Sequence, residues 1–215
     1  MSFDIVIPIG PNDKNIILKQ IEYTKKNVLN YRNIYLISYD PTLYIDDCIT
    51  IDENIFPFNK NTVIKYHGNG RRNGWYLQQL IKLYSGLVIS TLLDRYLVID
   101  CDTFFLRKTN FIENDICLYN YGSEYHAPYF EHMKKLDPSM VKVTNYSGIC
   151  HHMMFETKYI KELFFKIETI HNDKFYNVFL KSVTHIHSGA SEYEIYFNYM
   201  LIYHRSNIKI RKLNW

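Results

Sequence analysis

Asp100-Cys101-Asp102, closing the apolar run at residues 96–99 (YLVI), is the tripeptide best placed for chemistry in this 215-residue chain. Side chains two apart on a strand share a face, so both carboxylates can converge on one hard cation. The carboxyl ends of strands in open parallel sheets are where ligands collect. Two carboxylates and a diphosphate would complete the octahedral oxygen set of Mn²⁺ or Mg²⁺. Both aspartates could equally cap backbone amides in a turn. A second acidic group, Ser191-Glu192-Tyr193-Glu194, opens a helical pattern. Glu192 and Glu194 would sit about 200° apart around that helix, so they cannot do the same job. Ser191 and Glu194 have capping-box spacing, which leaves Glu192 the freer carboxylate.

The elements that must position these groups follow from periodicity. Residues 3–9 (FDIVIPI) are a β-branched run that reads as a buried strand stopping at Gly10-Pro11-Asn12-Asp13. Residues 14–29 carry a loose helical stripe with Asp13 as its expected N-cap, and residues 33–38 (NIYLIS) read as a second buried strand ending before Asp40. Strand, helix, strand predicts a βαβ opening and hence a mainly parallel sheet flanked by helices, an α/β class. Further strands are expected at 47–51, 96–99, 116–119 and 148–155, and helices at 75–84, 158–170 and 191–203. Residues 66–74 (YHGNGRRNG) read as a loop. His185 and His187 are i, i+2 on an expected strand, and His151 and His152, adjacent on another, must point to opposite faces. No repeat or linker divides the chain.

Composition excludes several classes. A net charge of +3, from 25 basic and 22 acidic residues, is weak for a nucleic-acid binder. No apolar stretch approaches the roughly 20 residues of a membrane span. The start shows no basic n-region of a signal peptide. Cys48, Cys101, Cys117 and Cys150 form no CxxC pair and read as free thiols, which suits a reducing, cytoplasmic setting. Aromatic residues are abundant at 16%, led by twenty tyrosines. Mutational bias could supply that excess. The cluster Tyr119, Tyr121, Tyr125, Tyr129 and Tyr146 could instead wall a wet cleft, since tyrosine joins an apolar ring to a polar tip.

Four segments together resemble the GT-A glycosyltransferases: DIVIPIGPND, GWYLQQLIKLY, YLVIDCDTFFL and SGASEYEIYFNYM. The small viral and bacterial sugar transferases typified by the chlorovirus rhamnosyltransferase domain are the nearest likeness. The resemblance implies a single GT-A (Rossmann-like) domain over 1–215, with a nucleotide-binding half at 1–102 and an acceptor half at 103–215. It implies a nucleotide-diphospho-sugar donor, with UDP favoured, and Mn²⁺ or Mg²⁺ held by Asp100 and Asp102. Pro8, Ile9, Gly10, Asn12 and Asp13 would hold the nucleoside, and Asp40 would accept from uracil or ribose. For Asp40 an Asp-Pro turn is the alternative. Arg71, Arg72, Gln78, Gln79 and Lys82 could reach phosphates or sugar, with Gln78 and Lys82 sharing a helical face from which Gln79 points away. A solvated basic surface explains the arginines equally well.

By the same resemblance, the turn Asn145-Tyr146-Ser147-Gly148 would line the donor-sugar pocket. An acidic residue at the start of the last helix, Glu192 or else Glu194, would be the general base of an inverting transfer to an acceptor hydroxyl. A histidine of the C-terminal part (His185, His187 or His204) would be the third metal ligand, His187 being preferred because it abuts the loop leading to Glu192. The partners implied are the donor and a glycan or other hydroxyl acceptor. A nucleotidyltransferase-like enzyme is the first alternative, although IPIGPND has one glycine and no nearby arginine. A non-catalytic sugar-binding module is the second. The chain reads either as part of a longer polypeptide or as a complete small enzyme.

Overall fold

Residues 3–9 are apolar at nearly every position because the strand they form, β1 (Phe3–Ile9), is buried on both faces. The fold was obtained as a computed structural model describing residues 2–185 and 187–213. β1 runs parallel to β2 (Tyr31–Ser38) on one side and to β4 (Arg95–Ile99) on the other. β3 (Cys48–Asp52) extends the sheet beside β2, and β7 (His152–Glu156) closes it antiparallel to β4. The order β3-β2-β1-β4-β7 bears out the expected mainly parallel sheet. A smaller sheet joins β5 (Ile112–Glu113), β6 (Ile116–Asn120) and β8 (Ile208–Arg211). One hydrophobic cluster links both sheets, from Ile5 and Leu97 to Phe111 and Ile208.

Helices α1 (Ile17–Asn27), α2 (Lys60–His67), α3 (Asn73–Val88), α4 (Ala127–Leu136), α5 (Thr157–His171), α6 (Phe175–Ser182) and α7 (Glu192–Tyr203) complete the described chain. Among the described residues no helix is long and apolar enough to cross a membrane. α7 is apolar almost all round and is buried from Glu192 through Leu201, as such a helix must be. It packs against α3, α4 and α5. Gly148 allows this approach: a Cβ there would lie 2.5 Å from Phe197 Cβ and 2.8 Å from the Tyr193 carbonyl.

Several expectations are corrected. α1 starts at Ile17, not at residue 14, and Asp13 is not its N-cap. A turn precedes the helix, and the Asp13 carboxylate folds back to accept the Gly10 N–H at 2.7 Å. α2, α4 and α6 went unpredicted. α2 hides behind a weak apolar stripe but has a full capping box between Asn59 and Thr62. The strand expected at 148–155 begins only at His152. His185 and His187 lie in no described strand; they belong to the turn region after α6, where the Ser188 N–H bonds the His185 carbonyl.

Two histidines are built into the interior. The His132 Nε2–H donates to the Phe179 carbonyl at 2.8 Å, and His152 Nε2 accepts from Asn120 at 2.6 Å between the rings of Phe105 and Phe111. Burial pushes both pKa values down to about 4. The unfolded chain therefore binds protons that the folded chain refuses between about pH 6.5 and pH 4. Stability is full above that window and should fall by roughly 1.4 kcal/mol per pH unit per histidine within it. Urea unfolding from pH 7.5 to pH 4.5 measures the slope, and His132→Gln should remove one histidine's share. A variant profile parallel to the original would contradict the assignment.

Candidate active site at the carboxyl edge of the sheet

Because β1, β2 and β4 are parallel, their carboxyl ends bring Gly10, Asp40 and Asp100 to one edge. β7 is antiparallel, so its start meets that edge as well: Ile99 pairs with His152, and the Asp100 N–H donates to the His151 carbonyl at 2.8 Å. In an order 3-2-1-4 the crevice between β1 and β4 is the topological switch point, where ligands of such sheets bind.

Lys82 of α3 stands at the centre. Its Nζ donates to Asp100 Oδ1 and, at 2.6 Å, to Glu192 Oε1. Tyr193 donates its hydroxyl to Asp100 Oδ1 at 2.8 Å, and His151 Nδ1 lies 3.1 Å from Asp100 Oδ2. Lys82 and Glu192 are 5% and 3% exposed, so these charges interact in a weakly screened setting. Burial alone would raise the Asp100 pKa. The Lys82 charge, helped by hydrogen bonds from His151, Lys82 and Tyr193, overrides it and holds the carboxyl below its ordinary range. Burial would lower the Lys82 pKa, but Asp100 and Glu192 hold the ammonium above its ordinary value. Glu192 is shifted upward, by burial first and the Asp100 charge next, against the pull of Lys82.

The first turn of α7 presents its two acids oppositely, as their angular separation requires. The Glu192 N–H donates to Gln79 Oε1 at 3.1 Å, docking α7 onto α3. The Glu194 carboxylate accepts from Ser147 Oγ at 2.6 Å and Asn198 Nδ2 at 2.9 Å. Ser191 caps the Glu194 N–H at 3.3 Å, but the Glu194 side chain does not complete the expected box because Ser147 has claimed it. Asn145 is exposed and away from this pair, beside Tyr125 and Lys142.

Other expected residues gather at the same edge. Gly10 is wedged between Asp13 and Gln78: a Cβ would meet Asp13 Oδ2 at 3.1 Å and Gln78 Nε2 at 3.2 Å. Pro8 is buried in β1 opposite Ile37, and Asn12 is exposed in the following turn. Asp40 accepts from the Thr42 N–H at 3.1 Å and pairs with Lys14 at 3.4 Å. Ile9, Ser38, Tyr39, Asp40 and Lys14 line a cavity of about 190 Å³ at the ends of β1 and β2.

Other candidates lie elsewhere. Arg72 lies 5.4 Å over the Trp75 ring, about 15 Å along α3 from Lys82. Arg71 is exposed. His204 pairs with Glu162 at 2.8 Å, and His185 stands 3.7 Å from Glu131. His187 is exposed in its turn. Tyr119 is buried against Tyr196, and Tyr129 is buried with its hydroxyl on Ser188 at 2.9 Å. Tyr121, half-buried, stacks on exposed Tyr146 with centroids 3.9 Å apart, so this pair, with exposed Tyr125, is what remains of the wall. Tyr193 went unrecognised because a tyrosine in a tyrosine-rich helix carries no sequence signal. The Gln79 contact with α7 also needed the tertiary structure.

Among the described residues no group of three or more His, Cys, Asp and Glu side chains is arranged to hold a metal ion. Asp100 already receives Lys82, Tyr193 and His151. Asp102 is exposed two residues on. A cation at this edge would find the Asp102 carboxylate and what these three partners leave of Asp100, fewer protein oxygens than a dedicated cage supplies. The four cysteines are free thiols, and burial pushes Cys101 and Cys150 up to about 12, so neither is a poised nucleophile.

Fold and site define an α/β protein whose charged residues converge at the carboxyl edge of a mainly parallel sheet. Over residues 42–211 the chain matches the family described as "Family of unknown function (DUF6492)", and it belongs to that family. No curated protein matches it. Among solved structures it is similar to mouse xyloside xylosyltransferase 1 in its apo form. The identity is 10%, the TM-score is 0.47, and the match covers 100% of this chain and 86% of that one.

Proposed function

We propose that the chain is a glycosyltransferase moving a sugar from a nucleotide diphosphate, UDP by preference, to an acceptor hydroxyl. The observation that carries this reading is the convergence of Asp100, Lys82, Glu192 and Tyr193 beside exposed Asp102 at the switch point of the sheet. The nucleoside occupies the cavity at Tyr39 and Asp40, where an apolar floor from Ile9 meets polar groups from Ser38 and Asp40. Gly10 follows Ile9 of that cavity's wall, and Gln78 stands against it one helical turn before Lys82.

A divalent cation, held by Asp102 and directly or through water by Asp100, would neutralise the diphosphate leaving group. Lys82 keeps Asp100 ionised and fixes its orientation through their ion pair. Glu192 accepts the acceptor's proton at its carboxylate, and burial makes that carboxylate more basic than a solvated one. A carboxylate base suits an inverting transfer. Glu194 positions the Ser147-Gly148 turn rather than touching substrate.

A thermal-shift series with UDP-, GDP- and dTDP-sugars, with and without Mn²⁺, tests the reading. One donor with Mn²⁺ should raise the melting temperature by mass action, by about 2.7 kcal/mol of stability at a hundredfold excess over Kd. Asp102→Ala should keep the fold, since its carboxylate is exposed, and lose donor hydrolysis and transfer. No stabilisation by any donor, or full turnover in Asp102→Ala, would refute the proposal.

A further inference from the structure

Directly after Asp102 the chain passes over a second cavity, of about 630 Å³, within the usual size of small-molecule sites. It shares no lining residue with the cavity at Asp40, and Lys82, Asp100, Asp102 and Glu192 lie outside its wall. Arg107, Lys108, Arg211 and Lys212 line it, and its described lining holds no carboxylate. In a chain of net charge only +3, four cations around one cavity are a marked concentration. Phe104, Phe105 and Tyr121 supply an apolar, aromatic wall.

Arg211 is built in. Its Nε donates to Asn120 Oδ1 at 2.9 Å, Asn120 donates onward to His152 at 2.6 Å, and the guanidinium lies 5.4 Å over the Phe111 ring. Its Nη2 is buried with no hydrogen-bond partner among the described residues. Arg211 thus lines the cavity with its orientation fixed by Asn120, and an oxyanion is the partner that a planar guanidinium fork matches. One carboxylate would satisfy one cation; four cations suit a dianion.

We propose that this cavity binds a small phosphorylated molecule with a flat apolar body, its phosphoryl group on Arg211 and its body against Phe105 and Tyr121. Arg107, Lys108 and Lys212 add attraction at the rim. The cavity shares no lining residue with the one at Asp40, so the proposal stands whether or not the donor reading holds.

Phenyl phosphate is the test probe, with inorganic phosphate, benzoate and phenol as comparisons, titrated by calorimetry into the full chain. Phenyl phosphate should bind saturably at one site, more tightly than each comparison. Arg211→Gln should weaken it by at least about tenfold, the scale of a lost charge-assisted bidentate contact. Should Arg211→Gln fail to fold, the exposed-site double variant Arg107→Ala/Lys108→Ala should still weaken binding and flatten its salt dependence. UDP with Mn²⁺ should not compete. Absence of saturable binding, equal affinity for benzoate, or indifference to these cation substitutions would overturn the proposal. Competition by UDP would overturn it too, by assigning the probe to the donor site.

Discussion

Lys82→Met should cost about 3–5 kcal/mol of folding stability, the largest effect expected of any single substitution at the site. Methionine fills much of the same volume, so the loss is electrostatic rather than a cavity. It strands Asp100 and Glu192, two carboxylates that share one ammonium in a largely dry setting. Glu192 already sits above its ordinary pKa through burial, so it is the group that takes up a proton once Lys82 is gone. The penalty should therefore shrink as pH falls from 7.5 toward 5.5. Adding Glu192→Gln to Lys82→Met should recover part of it at pH 7.5. Urea unfolding of the single and double variants measures all three terms. A loss under about 1 kcal/mol, within the range of exposed ion pairs, would mean that Lys82 does not hold the two acids together.

Glu192→Gln should leave the fold nearly intact and lower transfer by about 10²–10⁴, the usual contribution of a positioned general base. The amide keeps the shape of the side chain, the backbone N–H still meets Gln79, and Lys82 keeps Asp100 as its counter-charge. Donor-induced stabilisation should persist, which separates loss of the base from loss of binding. Glu194→Gln is the matched control: its carboxylate serves Ser147 and Asn198, so the expected loss is in stability rather than in rate. Wild-type turnover in Glu192→Gln would remove this residue from the chemistry.

Much of the frame was legible in the residues. Apolar runs such as FDIVIPI and YLVI announce strands buried on both faces, and their alternation with helical stripes announces a parallel sheet. The sheet's carboxyl edge then follows, and with it the neighbourhood of Gly10, Asp40 and Asp100. α2 and α6 were illegible because each is eight residues long and owes its stability to packing more than to its own pattern. The two acids of α7 separated as helical geometry demands, but which partners each would meet was not in the pattern.

By itself, then, the sequence determined the fold class, the carboxyl ends of β1, β2 and β4 and the list of chemically able side chains, since these depend on local period and residue type. Only the tertiary structure decided the partnerships. Lys82 meets Glu192 across 110 positions of sequence, and Tyr193 meets Asp100 across 93. It also set Asp13 against Gly10 instead of at a helix cap, and split the tyrosines between core and surface. Pairings of that kind are fixed by long-range packing and by the need of each buried charge for a counter-charge, and no local period encodes either.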